Sequence, residues 1–204
     1  MSHFEYIQDF LYKKEADYLQ SFLEEEIPWR QVRYFKPERG CVITPRLTWC
    51  AGFHNNLYYK INNITPNPIP KTILPLKEII EDYTGTTYNF VLFAKYRNGQ
   101  DSITYHSDDE MFLGKNPTIP LLTIGSTRPF NLKNKIDRSV QSFDLNHGDL
   151  LIMKNDCQKN FQHAVPKVDN FNEVRYSITF RKAINEYGTK NYYTYNVGNE
   201  LDFK

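Results

Sequence analysis

The sequence predicts one domain of α+β or mainly β class: a sandwich, jelly roll or barrel with helical support near its N-terminal end. Three observations carry that reading. From Tyr88 to Phe180, short β-type runs recur about every ten residues, separated by turn residues. Two helix-type patterns precede them. The chain is 204 residues long, without repeats or a low-complexity linker, where a domain takes roughly 100–200 residues.

Along the chain, Ala16, Leu19, Phe22 and Leu23 are spaced by three and four, as on one helix face, within Lys14 to Glu26. Pro28 closes that helix. Val32 to Phe35, Val42-Ile43 and Leu47 to Trp49 read as short strands, and Asn55 to Pro70 as an Asn- and Pro-rich loop. A second helix is expected over Leu74 to Tyr83, stopped by Thr84-Gly85. Strands follow at Tyr88 to Tyr96, Ser102 to His106, Thr118 to Ile124, Arg128 to Leu132, Gln141 to Leu145, Asp149 to Met153 and Glu173 to Phe180, with another strand signal around Phe161 to Pro166. Arg97-Asn98-Gly99-Gln100 is a turn between the first two. The Tyr-rich segment 183–204 carries no clear pattern.

Composition excludes several classes of protein. Lys+Arg 25 against Asp+Glu 24 gives a net charge of +1, so nucleic acid could be bound only through a local patch. No apolar stretch approaches the roughly 18 residues of a membrane span. The polar, helix-like N-terminus MSHFEYIQDF is not a signal peptide. Cys41, Cys50 and Cys157 are odd in number and lack CxxC spacing, against a disulfide framework or a structural zinc site. The expectation is a soluble, intracellular, monomeric protein. Aromatic residues reach 15%, so they serve as core, as stacking surface, or as both.

Three residues carry metal chemistry: His106, Asp108 and His163. His106 and Asp108 are two apart at the end of an expected strand, which places both side chains on one face. Two histidines and one carboxylate form the facial triad of non-haem Fe(II) oxygenases, which leaves positions open for co-substrate and O2. His-x-Asp with a distant His is a weak pattern alone, shared with ordinary surface and core histidines. Arg175, Ser177, Thr179 and Arg181 share one face of an expected strand, and Tyr176, Ile178 and Phe180 the other. Packed against helices, the apolar face would turn two arginines into a barrel interior, where they need anionic partners such as a dicarboxylate. The competing reading is a solvated edge strand.

In this order, a set of segments resembles the AlkB family of Fe(II)/2-oxoglutarate dioxygenases, in its nucleic-acid alkylation-repair branch. They are Pro45-Arg46-Leu47-Thr48, Tyr96-Arg97-Asn98, Asp101-Ser102-Ile103, His106-Ser107-Asp108-Asp109-Glu110 and Gly125-Ser126-Thr127-Arg128. His147 through Met153, Gln162 through Lys167 and Arg175 through Arg181 complete the set, and the likeness runs from Phe10 to Lys182. The resemblance implies a double-stranded β-helix, a jelly roll supported by N-terminal helices. Residues 10–95 would hold the helices and substrate lid, 96–182 the catalytic core and 183–204 a tail, within one domain spanning 1–204.

The same resemblance implies that His106, Asp108 and His163 hold Fe(II), and that Tyr96, Arg175, Ser177 and Arg181 bind 2-oxoglutarate, with Arg175 at its distal carboxylate. Glu110 matches an acidic contact to the damaged base. Tyr59 matches a stacking aromatic of the lid, with Tyr58 and Trp49 beside it, and Arg46 a phosphate contact. Arg33, Lys36 and Arg39 are further basic residues of that region. The chain departs from the family at Ala94 and Ser177, where asparagines are usual, and at Trp49-Cys50-Ala51-Gly52 in the lid.

The activity implied is O2-dependent hydroxylation of a methyl group on a base nitrogen, coupled to decarboxylation of 2-oxoglutarate, followed by loss of formaldehyde. N1-methyladenine and N3-methylcytosine in DNA or RNA are the expected lesions. Both are cationic, which suits an acidic neighbour and an aromatic wall, and both pair poorly, which eases base flipping. Two alternatives stand beside it: a 2-oxoglutarate dioxygenase acting on a protein or modified RNA, and a catalytically weak nucleic-acid-binding module.

Overall fold

Side-chain alternation builds two antiparallel sheets, and helices cover one of them. The computed structural model describes residues 2–36, 40–52, 67–109 and 111–184, with positions 32–36, 40–42 and 111 described by backbone alone. The larger sheet has seven strands in the order β1 (Phe4–Ile7), β9 (Leu150–Met153), β6 (Ile119–Gly125), β11 (Arg175–Arg181), β4 (Phe90–Tyr96), β3 (Gly40–Gly52) and β2 (Arg30–Lys36). The smaller has four: β5 (Ile103–His106), β10 (Phe161–Val165), β7 (Arg128–Asn134) and β8 (Val140–Leu145). Three α-helices complete the described fold: α1 (Lys13–Glu25), α2 (Leu74–Thr84) and the short α3 (Cys157–Asn160).

β11 shows how the layers arise. Its residues are buried throughout, because the sheet is covered on both faces. Tyr176, Ile178 and Phe180 join Val91 and Phe93 of β4 in a core that α1 fills with Ala16, Leu19, Phe22 and Leu23, and α2 with Leu76 and Ile80. Each such apolar side chain contributes roughly 1.5–3 kcal/mol on burial. The opposite face meets the smaller sheet through Leu92, Tyr96, Leu121, Phe130 and Leu132. Two sheets face to face with a helical layer outside make the jelly roll. Gly85 ends α2 at φ 64, as the Thr84-Gly85 stop predicts. No helix among the described residues is long and apolar enough to cross a membrane.

Three local expectations are corrected. The N-terminal segment read as helix-like contains strand β1, which pairs with β9 from Phe4↔Met153 to Ile7↔Leu150. Phe4 and Tyr6 face the inter-sheet core, and Ile7 the helix-side core. Asp149 pins the strand, accepting from Tyr6 Oη at 2.5 Å and Asp9 N–H at 3.0 Å, a long-range cause that local periodicity does not display. Second, β3 runs unbroken through Pro45. The register with β2 shifts between Gln31 and Arg33, so a bulge accommodates the residue that cannot donate to the ladder. Third, α3 went unread.

Candidate metal centre and active site

β5 and β10 place the two histidines opposite each other, in register as His163↔His106. Their ring centroids lie 4.2 Å apart. β5 ends at His106, so the loop brings Asp108 to the same side rather than strand alternation. Its Oδ1 is 3.8 Å from His106 Nε2 and its Oδ2 3.9 Å from His163 Nε2. One ligand atom from each residue lies within 4.8 Å of the others. His106 Nδ1 donates to the Thr104 carbonyl at 2.9 Å, which fixes the tautomer and leaves Nε2 to coordinate. Phe130 stacks on His163 at 5.5 Å and 18°.

Electrostatics keep Asp108 and His163 in ligand form. Burial opposes ionisation of Asp108, but Arg181, His163 and His106 outweigh it and hold the carboxyl below its ordinary value. Arg181 Nη2 donates to Asp108 Oδ2 at 2.8 Å. Burial, with His106 next in weight, pushes His163 from 6.5 down to about 3, so its imidazole is neutral at neutral pH. Two imidazoles and a carboxylate suit a divalent first-row metal, and three protein ligands leave coordination positions open.

A cavity of about 190 Å³ extends from this triad between the sheets, lined by Tyr96, Ile103, Phe130, Ser177, Thr179 and Arg181 among others. Ser177, Thr179 and Arg181 of the polar row of β11 line it. Arg175 is fully buried. It pairs in register with Tyr96, and its guanidinium lies 5.3 Å from the Tyr96 ring centroid. Nη2 donates to Thr123 Oγ1 at 2.9 Å, while Nε and Nη1 have no hydrogen-bond partner. Burial lowers its pKa from 12.5 to about 10, with the Tyr96 hydroxyl pulling the other way. A buried cation with two unpartnered donors has the chemistry to take an anion, and that donor set fits a carboxylate of 2-oxoglutarate. Ser177 lies between Ala94 and Thr123 in the ladder, so one hydroxyl and one methyl stand where the resemblance expects two amides.

The 2OG-Fe(II) oxygenase superfamily model matches residues 3–181. The chain belongs to this superfamily. It is 37% identical over 180 residues to the Homo sapiens "Alpha-ketoglutarate-dependent dioxygenase alkB homolog 3", covering 82% of this chain and 62% of the relative. It is 32% identical over 189 residues to the Homo sapiens "DNA oxidative demethylase ALKBH2", covering 84% and 70%. These likenesses place it in the AlkB family. The chain spans about 62% of the length of the first of these relatives. "The structure of OsALKBH1" superposes with a TM-score of 0.60 at 16% identity, covering 89% of this chain and 99% of that one, a likeness of fold. An AlkB-family oxygenase uses Fe(II), 2-oxoglutarate and O2, and His106, Asp108 and His163 are arranged as its metal site.

The structure brings some sequence-read residues into this site and not others. Arg46 lines the cavity. Trp49 does not: it sits on the helix side of β3, 5.4 Å from Phe93 and packed on the helix-side core. The strand's period of two decides this, since Thr48 and Cys50 take the other face. Tyr58, Tyr59, Glu110 and Arg39 lie outside the described residues, as do the side chains of Arg33 and Lys36. His147 is structural: Nδ1 accepts from Gly125 N–H at 2.9 Å, and Nε2 meets Asp17 Oδ1 at 3.1 Å. Cys50 and Cys157 are both buried.

Several AlkB-like motif residues build the frame rather than the cavity. Arg97 pairs with Asp101 through Nε at 2.8 Å and Nη2 at 2.9 Å. Arg128, 1% exposed, donates to the carbonyls of Asn98, Asp101 and Pro166 at 2.9, 3.1 and 2.6 Å. Gly99 admits no Cβ, which would collide with the Val168 carbonyl. Two site residues escaped the sequence reading. Thr123 lies mid-strand with no motif signal. Gln158 sits in the unread α3, and its Oε1 accepts from Asp108 N–H at 2.8 Å.

Proposed function

We propose that the chain oxidatively demethylates N-alkylated nucleobases in DNA or RNA, with N1-methyladenine and N3-methylcytosine as its substrates. The observation that carries the reading is the likeness to the "DNA oxidative demethylase ALKBH2" of Homo sapiens over 84% of this chain. When bound, Fe(II) and 2-oxoglutarate supply O2 activation and hydroxylation of the N-methyl group.

The chain's own residues bind, orient and exclude water. His106, Asp108 and His163 would hold the metal. Arg181 keeps Asp108 ionised and oriented. Arg175, with Tyr96 and Ser177, would hold the distal carboxylate of 2-oxoglutarate. Phe130, Leu121, Met153 and Val165 make much of the cavity wall apolar, which keeps bulk water from the reacting centre. Arg46 at the cavity edge contacts the phosphate of the flipped nucleotide. The resemblance assigns the acidic contact to the cationic base to Glu110 and the stacking contact to Tyr59, with Tyr58 beside it in sequence.

The test is incubation with Fe(II), 2-oxoglutarate, O2 and a panel of oligonucleotides carrying single methylated bases. Formaldehyde and succinate in equal amounts are expected, and His106→Ala should lose both. Succinate without formaldehyde on every methylated oligonucleotide would refute nucleobase demethylation and redirect the search to protein or other RNA substrates.

A further inference from the structure

Gln158 is 3% exposed, and a polar amide at that depth needs partners. It has two. Its Oε1 accepts the Asp108 N–H at 2.8 Å, across 50 residues of sequence. Its Nε2 reaches Met153 Sδ at 3.4 Å, and Met153 lines the cavity. The short helix that carries Gln158 is itself anchored. Lys135 Nζ donates to the Gln158 carbonyl, and Lys135 N–H to the Asn160 carbonyl, both at 2.8 Å. Asn160 Nδ2 donates to Asp156 Oδ2 at 2.7 Å.

Asp108 needs such support. β5 ends at His106, so no ladder hydrogen bond sets the backbone at Asp108. The intervening Ser107 donates its hydroxyl to the Phe161 carbonyl at 2.8 Å. The loop between the two ligands is therefore held at Ser107 by β10 and at Asp108 by α3. The same α3–β10 unit carries His163. An amide suits the position: it offers an acceptor to the N–H without a second negative charge beside the Asp108 carboxylate.

We infer that Gln158 is a positioning residue for the metal ligand Asp108, an inference that rests on His106, Asp108 and His163 being the metal site. By accepting the Asp108 N–H it fixes the backbone from which the carboxylate reaches both histidines and Arg181. Without it, a buried N–H loses its acceptor and the carboxylate is free to turn away from His106 and His163.

The experiment titrates cobalt(II) into metal-free protein and reads the visible absorption band together with the affinity. Gln158→Met keeps the length and apolar bulk of the side chain but removes the acceptor. Gln158→Glu returns an acceptor oxygen. Q158M is expected to bind cobalt about 10–100-fold more weakly, with a shifted band, and Q158E to recover part of the affinity. The melting temperature of each metal-free protein, and its rise on adding cobalt, separates metal binding from folding. Wild-type cobalt affinity and an unshifted band in Q158M overturn the inference, even if that variant melts lower. Failure of the wild-type protein to bind cobalt overturns the metal site and the inference with it.

Discussion

Replacing Arg175 with methionine separates two effects of opposite sign. The guanidinium is fully buried, and two of its nitrogens lack partners. Burial lowers its pKa from 12.5 to about 10. At about 1.4 kcal/mol per unit, the charge costs the free protein about 3 kcal/mol of stability. The folded value lies below the unfolded one, so this cost is full at neutral pH and fades only as pH rises from about 10 toward 12.5. Methionine removes the cost but gives up the hydrogen bond to Thr123 at 2.9 Å, which contributes about 1–2 kcal/mol.

The free variant should therefore be more stable by about 1–2 kcal/mol, raising Tm by about 2–8 °C for a domain of this size. Binding moves the other way. Hydrogen bonds from a guanidinium to a carboxylate contribute about 1.5–3 kcal/mol each. Losing two weakens 2-oxoglutarate affinity by roughly 10²–10⁴-fold. Thermal melts with and without manganese and 2-oxoglutarate, joined to calorimetric titration of 2-oxoglutarate, read both effects. An R175M protein that melts lower and binds 2-oxoglutarate as tightly as wild type would refute the reasoning, making Arg175 a structural group.

Acid should destabilise the metal-free protein through the triad. His163 is held near about 3 in the fold against 6.5 otherwise, so below about 6.5 the unfolded chain takes up a proton that the folded one refuses. Stability then falls by up to about 1.4 kcal/mol per pH unit. Asp108, held below its ordinary value, adds stability that is present above its unfolded pKa and lost as pH falls through its folded one. His163→Leu should flatten the Tm–pH profile between about pH 6 and pH 4, and profiles parallel to wild type would contradict this. Trp49→Phe should lower stability by about 1 kcal/mol and leave KM for a methylated oligonucleotide unchanged. A raised KM without loss of stability would return Trp49 to the substrate pocket.

Much of the fold and the site was legible because it is written in local periodicity. The apolar spacing of α1, the Gly85 stop, and the alternation of Arg175, Ser177, Thr179 and Arg181 with Tyr176, Ile178 and Phe180 each follow from backbone geometry within one element. What escaped depends on contacts distant in sequence. β1 exists because Asp149 and β9 hold it. Trp49 was misplaced because a lid motif says nothing about which face a strand residue takes, whereas the period of β3 does. Gln158 was invisible because a four-residue helix leaves no periodic trace, and its partner lies 50 residues away.

By itself, the sequence determined the ligand types, their order along the chain and the polar face of β11, since residue identity and period-two alternation need no tertiary information. Only the tertiary structure decided that His106 and His163 meet across β5 and β10, and that Arg181 holds Asp108. It alone decided that Arg175 carries its charge in a dry interior. Those facts depend on strand register and on the desolvation of a charge between two packed sheets, and both are fixed only when distant segments come together.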